Sequence, residues 1–182
     1  SAKNSFYDML ERFRAHEYDI LLGTQMVTKG HDFPAVDVSG VILADTALYL
    51  EDFRASERAF SMMTQLVGRA GRAGQQGRAV IQTCNPDHPV IDYASRQDYD
   101  AFYKSEIAYR RAMLFPPFCH IALISVTGED ERLVMETSTG LYTLLTDLIG
   151  GEYRDVALIY FGPFEAAVYR VNRTFRYRIV CK

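Results

Sequence analysis

Among the residues of this chain, Gln65, Arg69 and Arg72 are the set best suited to chemistry. They lie within Gln65-Leu66-Val67-Gly68-Arg69-Ala70-Gly71-Arg72. At about 100° per residue this spacing gathers the three within roughly 60° on one side of a helix. Two permanently charged, planar guanidinium groups and an amide then point together, an arrangement suited to an anion and to phosphate above all. Gly68 and Gly71 each cost a helix interior about 1 kcal/mol relative to Ala, yet they clear side chains from beside the arginines, so a bulky anion has room to approach. A basic, glycine-rich helix end facing only water satisfies the same spacing.

These side chains require a helix to present them. Ser56-Glu57 reads as a cap followed by a first-turn acid, and Phe60, Met63, Val67 and Ala70 recur at helical spacing as a core face on the side away from Gln65, Arg69 and Arg72. Upstream, Phe6, Met9, Leu10 and Phe13 predict a helix over Ser5–His16, which feeds a buried strand over Tyr18–Leu22. A second strand over Gly40–Ala44 ends in Asp45, and a third over Arg78–Thr83 follows the arginine-bearing helix. Strands separated by helical or irregular crossovers predict a parallel sheet, whose ligand loops follow the carboxyl ends of the strands. Gly23-Thr24-Gln25 and Gly30-His31-Asp32-Phe33-Pro34 occupy such a loop. Asn85–Pro89 is a turn by its two prolines and its Asn and Asp content, with His88 in a structural role.

Tyr99, Phe102, Tyr103, Ile107 and Leu114 mark a further helix, stopped by Pro116-Pro117. Beyond it the pattern runs strand (Cys119–Val126), long helix (Glu129–Ile149), strand (Val156–Phe161) and two short extended runs near Ala167–Val171 and Phe175–Cys181. The expected architecture is an α/β unit with a parallel sheet, followed by a small α+β module of βαββ type. The expected divisions are 1–97, a helical linker over 98–118, and 119–182.

The last stretch, Ala166–Lys182, holds Arg170, Arg173, Arg176, Arg178 and Lys182, with Tyr169, Phe175 and Tyr177 interleaved and no acid. Such a hairpin suits single-stranded nucleic acid, through phosphate contacts and base stacking worth about 1–3 kcal/mol per base. Strict alternation would instead bury the aromatics and leave the arginines in water.

Gln65–Arg72, Q-x-x-G-R-x-G-R, resembles motif VI of superfamily 2 helicases. The stretch Ile20–Pro34, I-L-L-G-T-Q-M-V-T-K-G-H-D-F-P, is similar to motif V in the form found in the PriA family of replication-restart helicases. Ala44–Arg58, with its D-F-R-A-x-E-R, looks like the same family's approach to motif VI, and Glu106, Arg111, Pro116–Phe118, Gly162-Pro163 and Tyr177–Lys182 fit its linker and terminal segment. The resemblance implies a partial second RecA-like helicase lobe followed by the family's C-terminal domain. It implies Arg72 as the arginine finger on ATP, with Arg69 and Gln65 lining the same cleft and Gly30 and Asp32 on the nucleotide side. Thr24, Gln25 and Lys29 then face the DNA backbone, and Arg173, Arg176 and Arg178 are the expected DNA contacts of the C-terminal domain. The cofactors implied for the full-length enzyme are ATP and Mg2+, with zinc bound in a region other than this one. The partners implied are DNA forks and single strands, single-stranded DNA-binding protein and other primosome proteins.

Composition sets the bounds. The 182 residues are 48% hydrophobic and 24% charged, ordinary for a soluble globular chain, and the net charge of −3 gives no global basic field. Cys84, Cys119 and Cys181 form no C-x-x-C pair, which suggests neither a zinc site nor a disulfide framework and suits a reducing cytoplasm. No apolar run reaches about 18 residues, so no membrane partner is expected. The sequence contains no G-x-x-x-x-G-K-[ST] loop and no acidic magnesium motif. Residues 1–182 alone are therefore expected not to hydrolyse ATP. A non-catalytic DNA- or protein-binding module, or another translocase of RecG type, is the alternative.

Overall fold

The computed structural model describes residues 2–28, 33, 36–68 and 77–182. The chain divides into two compact units, Ser1–Glu106 and Ile107–Lys182.

The first unit is organised around α4 (Ala55–Val67). Phe60 and Met63 of the expected face are buried, joined by Ala59, whereas Val67 is only half-buried and Ala70 lies outside the described residues. Ala59, Phe60 and Met63 form one cluster with Val41 of β1 (Val38–Val41), Leu48 of α3 (Asp45–Leu48), Val90, Ile91 and Ala94 of α5 (Pro89–Ser95), and Phe102 of α6 (Tyr99–Ala112). Phe60 stacks face to face on Phe102, with ring centroids 4.1 Å apart and planes 4° apart. Two features hold the far end of α4. The Ser39 hydroxyl donates to the Leu66 carbonyl at 2.9 Å, joining the last turn to β1, and the Gly68 amide donates to Thr64 O at 3.0 Å. A two-stranded parallel sheet pairs β1 with β2 (Arg78–Ile81), from Val38 opposite Arg78 to Val41 opposite Ile81.

Two local expectations change, and a third, the structural role of His88, holds. Tyr18–Leu22 is not a strand: no described neighbour pairs with it, and Ile20 and Leu22 are 84% and 75% exposed. A strand exists only by pairing its backbone, so an apolar run without a neighbour stays irregular. Ser56 sits inside α4 and does not cap it; the N-cap position is Arg54, and Asp52 accepts from the Arg54 amide at 2.9 Å. The turn at Asn85–Pro89 leads into α5, where His88 is the cap, its Nδ1 accepting from the Val90 amide at 3.2 Å. Among the described residues this unit also has the helix α1 (Ala2–Arg14) and the single turn α2 (Gln25–Thr28).

The second unit has the expected βαββ order: β3 (Ala122–Gly128), α7 (Glu131–Gly150), β4 (Tyr160–Val171) and β5 (Thr174–Cys181). Its sheet is antiparallel in the order β3-β5-β4. Asp130 caps α7, its carboxylate accepting from the Leu133 amide at 3.1 Å. The face carrying Ile179 and Cys181 lies under α7, where Val134 and Ser138 are buried. Ser138 satisfies its hydroxyl on the Val134 carbonyl at 2.7 Å. The two extended runs expected at 156–161 and 167–171 are replaced by one strand, β4, with register shifts after Phe161 and Glu165. At the first shift Gly162 has φ +121°, and a Cβ there would meet Arg178 O at 2.9 Å, so only glycine fits.

Met63→Ala should destabilise the first unit by about 2–5 kcal/mol, whereas Leu22→Ala should change it by less than about 0.5 kcal/mol. Chemical denaturation followed by hydrogen exchange at the α4 amides checks both.

Candidate nucleotide and nucleic-acid sites

Because the buried face of α4 is fixed, its opposite face is fixed too. Gln65 stands exposed on the last turn, its amide Nε2 donating to Ser61 Oγ at 3.1 Å. Arg69 and Arg72 lie outside the described residues. The last described turn ends close against another segment: a Cβ on Gly68 would meet Thr64 O at 3.3 Å and Gln97 Nε2 at 3.4 Å.

Thr24 is exposed and opens α2, its carbonyl accepting from the Val27 amide at 3.0 Å. Gln25 is the first residue of α2. Any side chain at position 23 would collide with Val27, whose Cγ2 would lie 2.1 Å from an added Cβ. A side chain at position 23 would therefore force Val27 to move. Single-turn α2 rests against α4, so the elements carrying Thr24, Gln25 and Gln65 are neighbours. Lys29, Gly30 and Asp32 fall outside the described residues. Phe33, just beyond them, is described: its ring meets Phe13 of α1 edge to face at 5.2 Å, and the Arg14 guanidinium lies 5.6 Å from its centroid.

One polar cluster carries no functional mark in the sequence. Asp45, the first residue of α3 just beyond β1, accepts from Thr83 Oγ1 and from the Cys84 amide just beyond β2, each at 2.9 Å, and so ties together the segments that follow the two parallel strands. The Cys84 amide first, and then the Thr83 hydroxyl, hold the Asp45 carboxyl below its ordinary value of 3.8. Asp45 supports the end of the sheet, and the available signal was an acid directly after a strand with Thr83 closing the next one.

In the second unit the hairpin alternates, but not into water. Arg176 and Arg178 project on the sheet face away from α7, in register with Thr127 and Ser125 of β3, and both are half-buried. Phe164 lies opposite Arg178, whose guanidinium is 5.7 Å from its ring, and Phe161 lies opposite Val180. Those two rings are 40% and 46% exposed. Lys182 Nζ sits 6.0 Å from the Phe161 ring and 4.0 Å from Phe115. Arg173 is set apart at the exposed turn, 3.8 Å from Glu129. Phe175 and Tyr177 take the α7 face. Tyr169 joins their rings and bonds the Glu131 carboxylate, which pushes the Tyr169 hydroxyl upward. Arg176 and Arg178 thus share the open face with Phe161 and Phe164, while Arg170 stays with the other aromatics, its guanidinium 4.8 Å from the Phe175 ring.

Among the described residues no three His, Cys, Asp or Glu side chains are placed to hold a metal ion, and no helix is long and apolar enough to cross a membrane.

Residues 4–74 match the family described as the helicase conserved C-terminal domain, and residues 111–182 match that described as the primosomal protein N C-terminal domain. The first match covers α4 and the parallel strand β1, and the second covers the βαββ unit. Along its whole length the chain is 37% identical to the replication restart protein PriA of Bacillus subtilis, covering 22% of that protein. It is also 37% identical over 95% of its length to PriA of Treponema pallidum, covering 26%, and 34% identical over 99% to PriA of a Synechocystis species, covering 21%. By these matches the chain corresponds to a C-terminal part of PriA, spanning about a fifth to a quarter of the length of these relatives.

The Asp45 carboxylate contributes stability above its ordinary value of 3.8, and that contribution is lost as pH falls through its lowered folded value. Wild type should therefore exceed Asp45→Asn in Tm at pH 7, and the difference should shrink as pH falls below about 4. Thermal melts from about pH 7 to about pH 2.5 measure it.

Proposed function

We propose that the chain is the part of an ATP-dependent 3'-5' DNA helicase of replication restart that supplies the arginine side of the ATP site, together with a C-terminal domain that binds DNA or partner proteins. In this proposal residues 1–97 belong to the second helicase lobe, 98–118 form a helical linker and 119–182 form the C-terminal domain. The observation that carries it is the packing of α2 against α4, because it makes neighbours of the segment bearing Thr24 and Gln25 and the helix leading from Gln65 into the arginines.

Arg72 stabilises charge on the γ-phosphate as the finger, and Arg69 and Gln65 line the same cleft. Gly30 and Asp32 meet the nucleotide, while Thr24, Gln25 and Lys29 hold the DNA backbone through hydroxyl, amide and ammonium groups. ATP with Mg2+ supplies the driving reaction when bound by the full-length protein, whose remaining sequence brings the phosphate-cradling loop, the acidic motif and the zinc region. Residues 1–182 by themselves turn over no ATP. The enzyme works in the cytoplasm at DNA forks and single strands, with single-stranded DNA-binding protein and other primosome proteins as partners.

A second function, as a binding module, is supported by the open face of the C-terminal sheet. Arg176 and Arg178, flanked by the exposed rings of Phe161 and Phe164, offer charge and stacking surfaces to a single strand, and Arg173 extends the patch at the turn.

In the full-length protein Arg72→Ala should lower ATP turnover by about a thousandfold or more with DNA affinity largely kept; near-normal turnover in that variant refutes the finger assignment. Changing Arg173, Arg176 and Arg178 together to Ala should weaken binding of residues 1–182 to a single-stranded oligonucleotide. It should also reduce the slope of log K against log salt by about 0.7 for each phosphate that is no longer neutralised. Fluorescence anisotropy at several salt concentrations measures both quantities, and an unchanged slope removes these arginines from the interface.

A further inference from the structure

Between Phe13 and Phe33 the chain leaves α1, passes through the irregular run at Tyr18–Leu22 and turns at Gly23 into α2. That stretch also carries, in sequence, every residue to which a motif V role is proposed above: Thr24, Gln25, Lys29, Gly30 and Asp32. Its two ends meet. The Phe33 ring packs edge to face on Phe13, with centroids 5.2 Å apart and planes 80° apart, and Arg14 lies 5.6 Å from the Phe33 centroid. Both phenylalanines are half-buried. The Phe33 carbonyl also accepts from the Val36 amide at 3.3 Å, leading the chain on towards β1.

We infer that Phe13, Arg14 and Phe33 form an aromatic clamp that positions the DNA- and nucleotide-facing loop, with Phe33 as its central positioning residue. The inference rests on the helicase function proposed above. Its physical basis is loop closure: a stretch of this length with free ends samples many end-to-end distances, and a tie joining its ends removes most of them. An edge-to-face pair with a cation near the same ring is directional as well as apolar, so it constrains angle in addition to distance. None of the three side chains has to touch ligand. Phe13 and Arg14 are adjacent on the last turn of α1, so together they present a ring and a charge to one partner. The Tyr18–Leu22 run makes no strand pairing among the described residues, and the Phe13–Phe33 contact joins the start of this stretch to its end.

A positioning role predicts losses in the step that couples DNA to turnover, not in folding alone. The test is steady-state ATP hydrolysis by the full-length protein, with and without single-stranded DNA, for wild type, Phe33→Ala, Phe33→Tyr, Phe13→Ala and the Phe13→Ala/Phe33→Ala double variant, with a thermal melt of each. Phe33→Ala is expected to lower DNA-stimulated kcat about tenfold with ATP KM changed less than about twofold. Phe33→Tyr, which keeps the ring, is expected to restore most of it. The double variant is expected to be no worse than the worse single one, because both changes break the same ring pair. Additive losses in the double variant overturn the clamp, as does DNA-stimulated kcat in Phe33→Ala equal to wild type. Losses that follow Tm across the set, with ATP KM and kcat moving together, assign the ring to folding and also overturn it. Wild type with no DNA-stimulated turnover instead defeats the helicase proposal itself, and the clamp with it.

Discussion

One buried helix face governs the first unit. Ala59, Phe60 and Met63 of α4 meet β1, α3, α5 and α6 at once, and the stack of Phe60 on Phe102 fixes the rotation of the helix about its axis. A helix has one rotational setting, so burying these residues decides which side faces out. That side carries Gln65 and leads directly into the glycine-rich arginine segment. The Ser39 bond to Leu66 O sets how far along its axis the helix can slide relative to β1. Packing in the core and the outward exposure of Gln65 are thus two consequences of one constraint.

The parallel sheet beside this helix is small, and its ends are secured by side chains. Asp45 receives a hydroxyl and an amide from the segment that closes β2, so the carboxyl ends of both strands share one anchor. A carboxylate with two such donors is favoured in its charged form. His88 does a similar service one step on by capping α5, and its ring lies edge to face with Tyr49 at 6.2 Å. Asp45 and His88 are here structural fastenings.

The C-terminal sheet separates two kinds of aromatic residue. Those under α7, Phe175 and Tyr177 with Tyr169, close one side, and Tyr169 is held by a carboxylate of the helix that covers it. Those on β4, Phe161 and Phe164, stay partly open beside Arg178 and Lys182. The strand that carries them reaches that position through a bend at Gly162, where the backbone approaches Arg178 O too closely for any side chain.

Much of this was legible in the sequence, because local periodicity and residue chemistry carry it. The 3.6-residue spacing of Phe60 and Met63 identified the face that is buried, the βαββ order followed from alternation and helix length, and the arginine and glycine string marked a segment that the family match includes. Pairing and register could not be read this way, since they depend on residues distant in the chain. Tyr18–Leu22 has the composition of a strand but no strand partner among the described residues, and two apparent short strands are one bulged β4. The hairpin arginines Arg176 and Arg178 are half-buried on a sheet face because β3 and β4 flank them. The meeting of Phe13 with Phe33 also belongs to the tertiary structure alone: contact between rings distant in sequence leaves no period there, and only the folded chain brings them together.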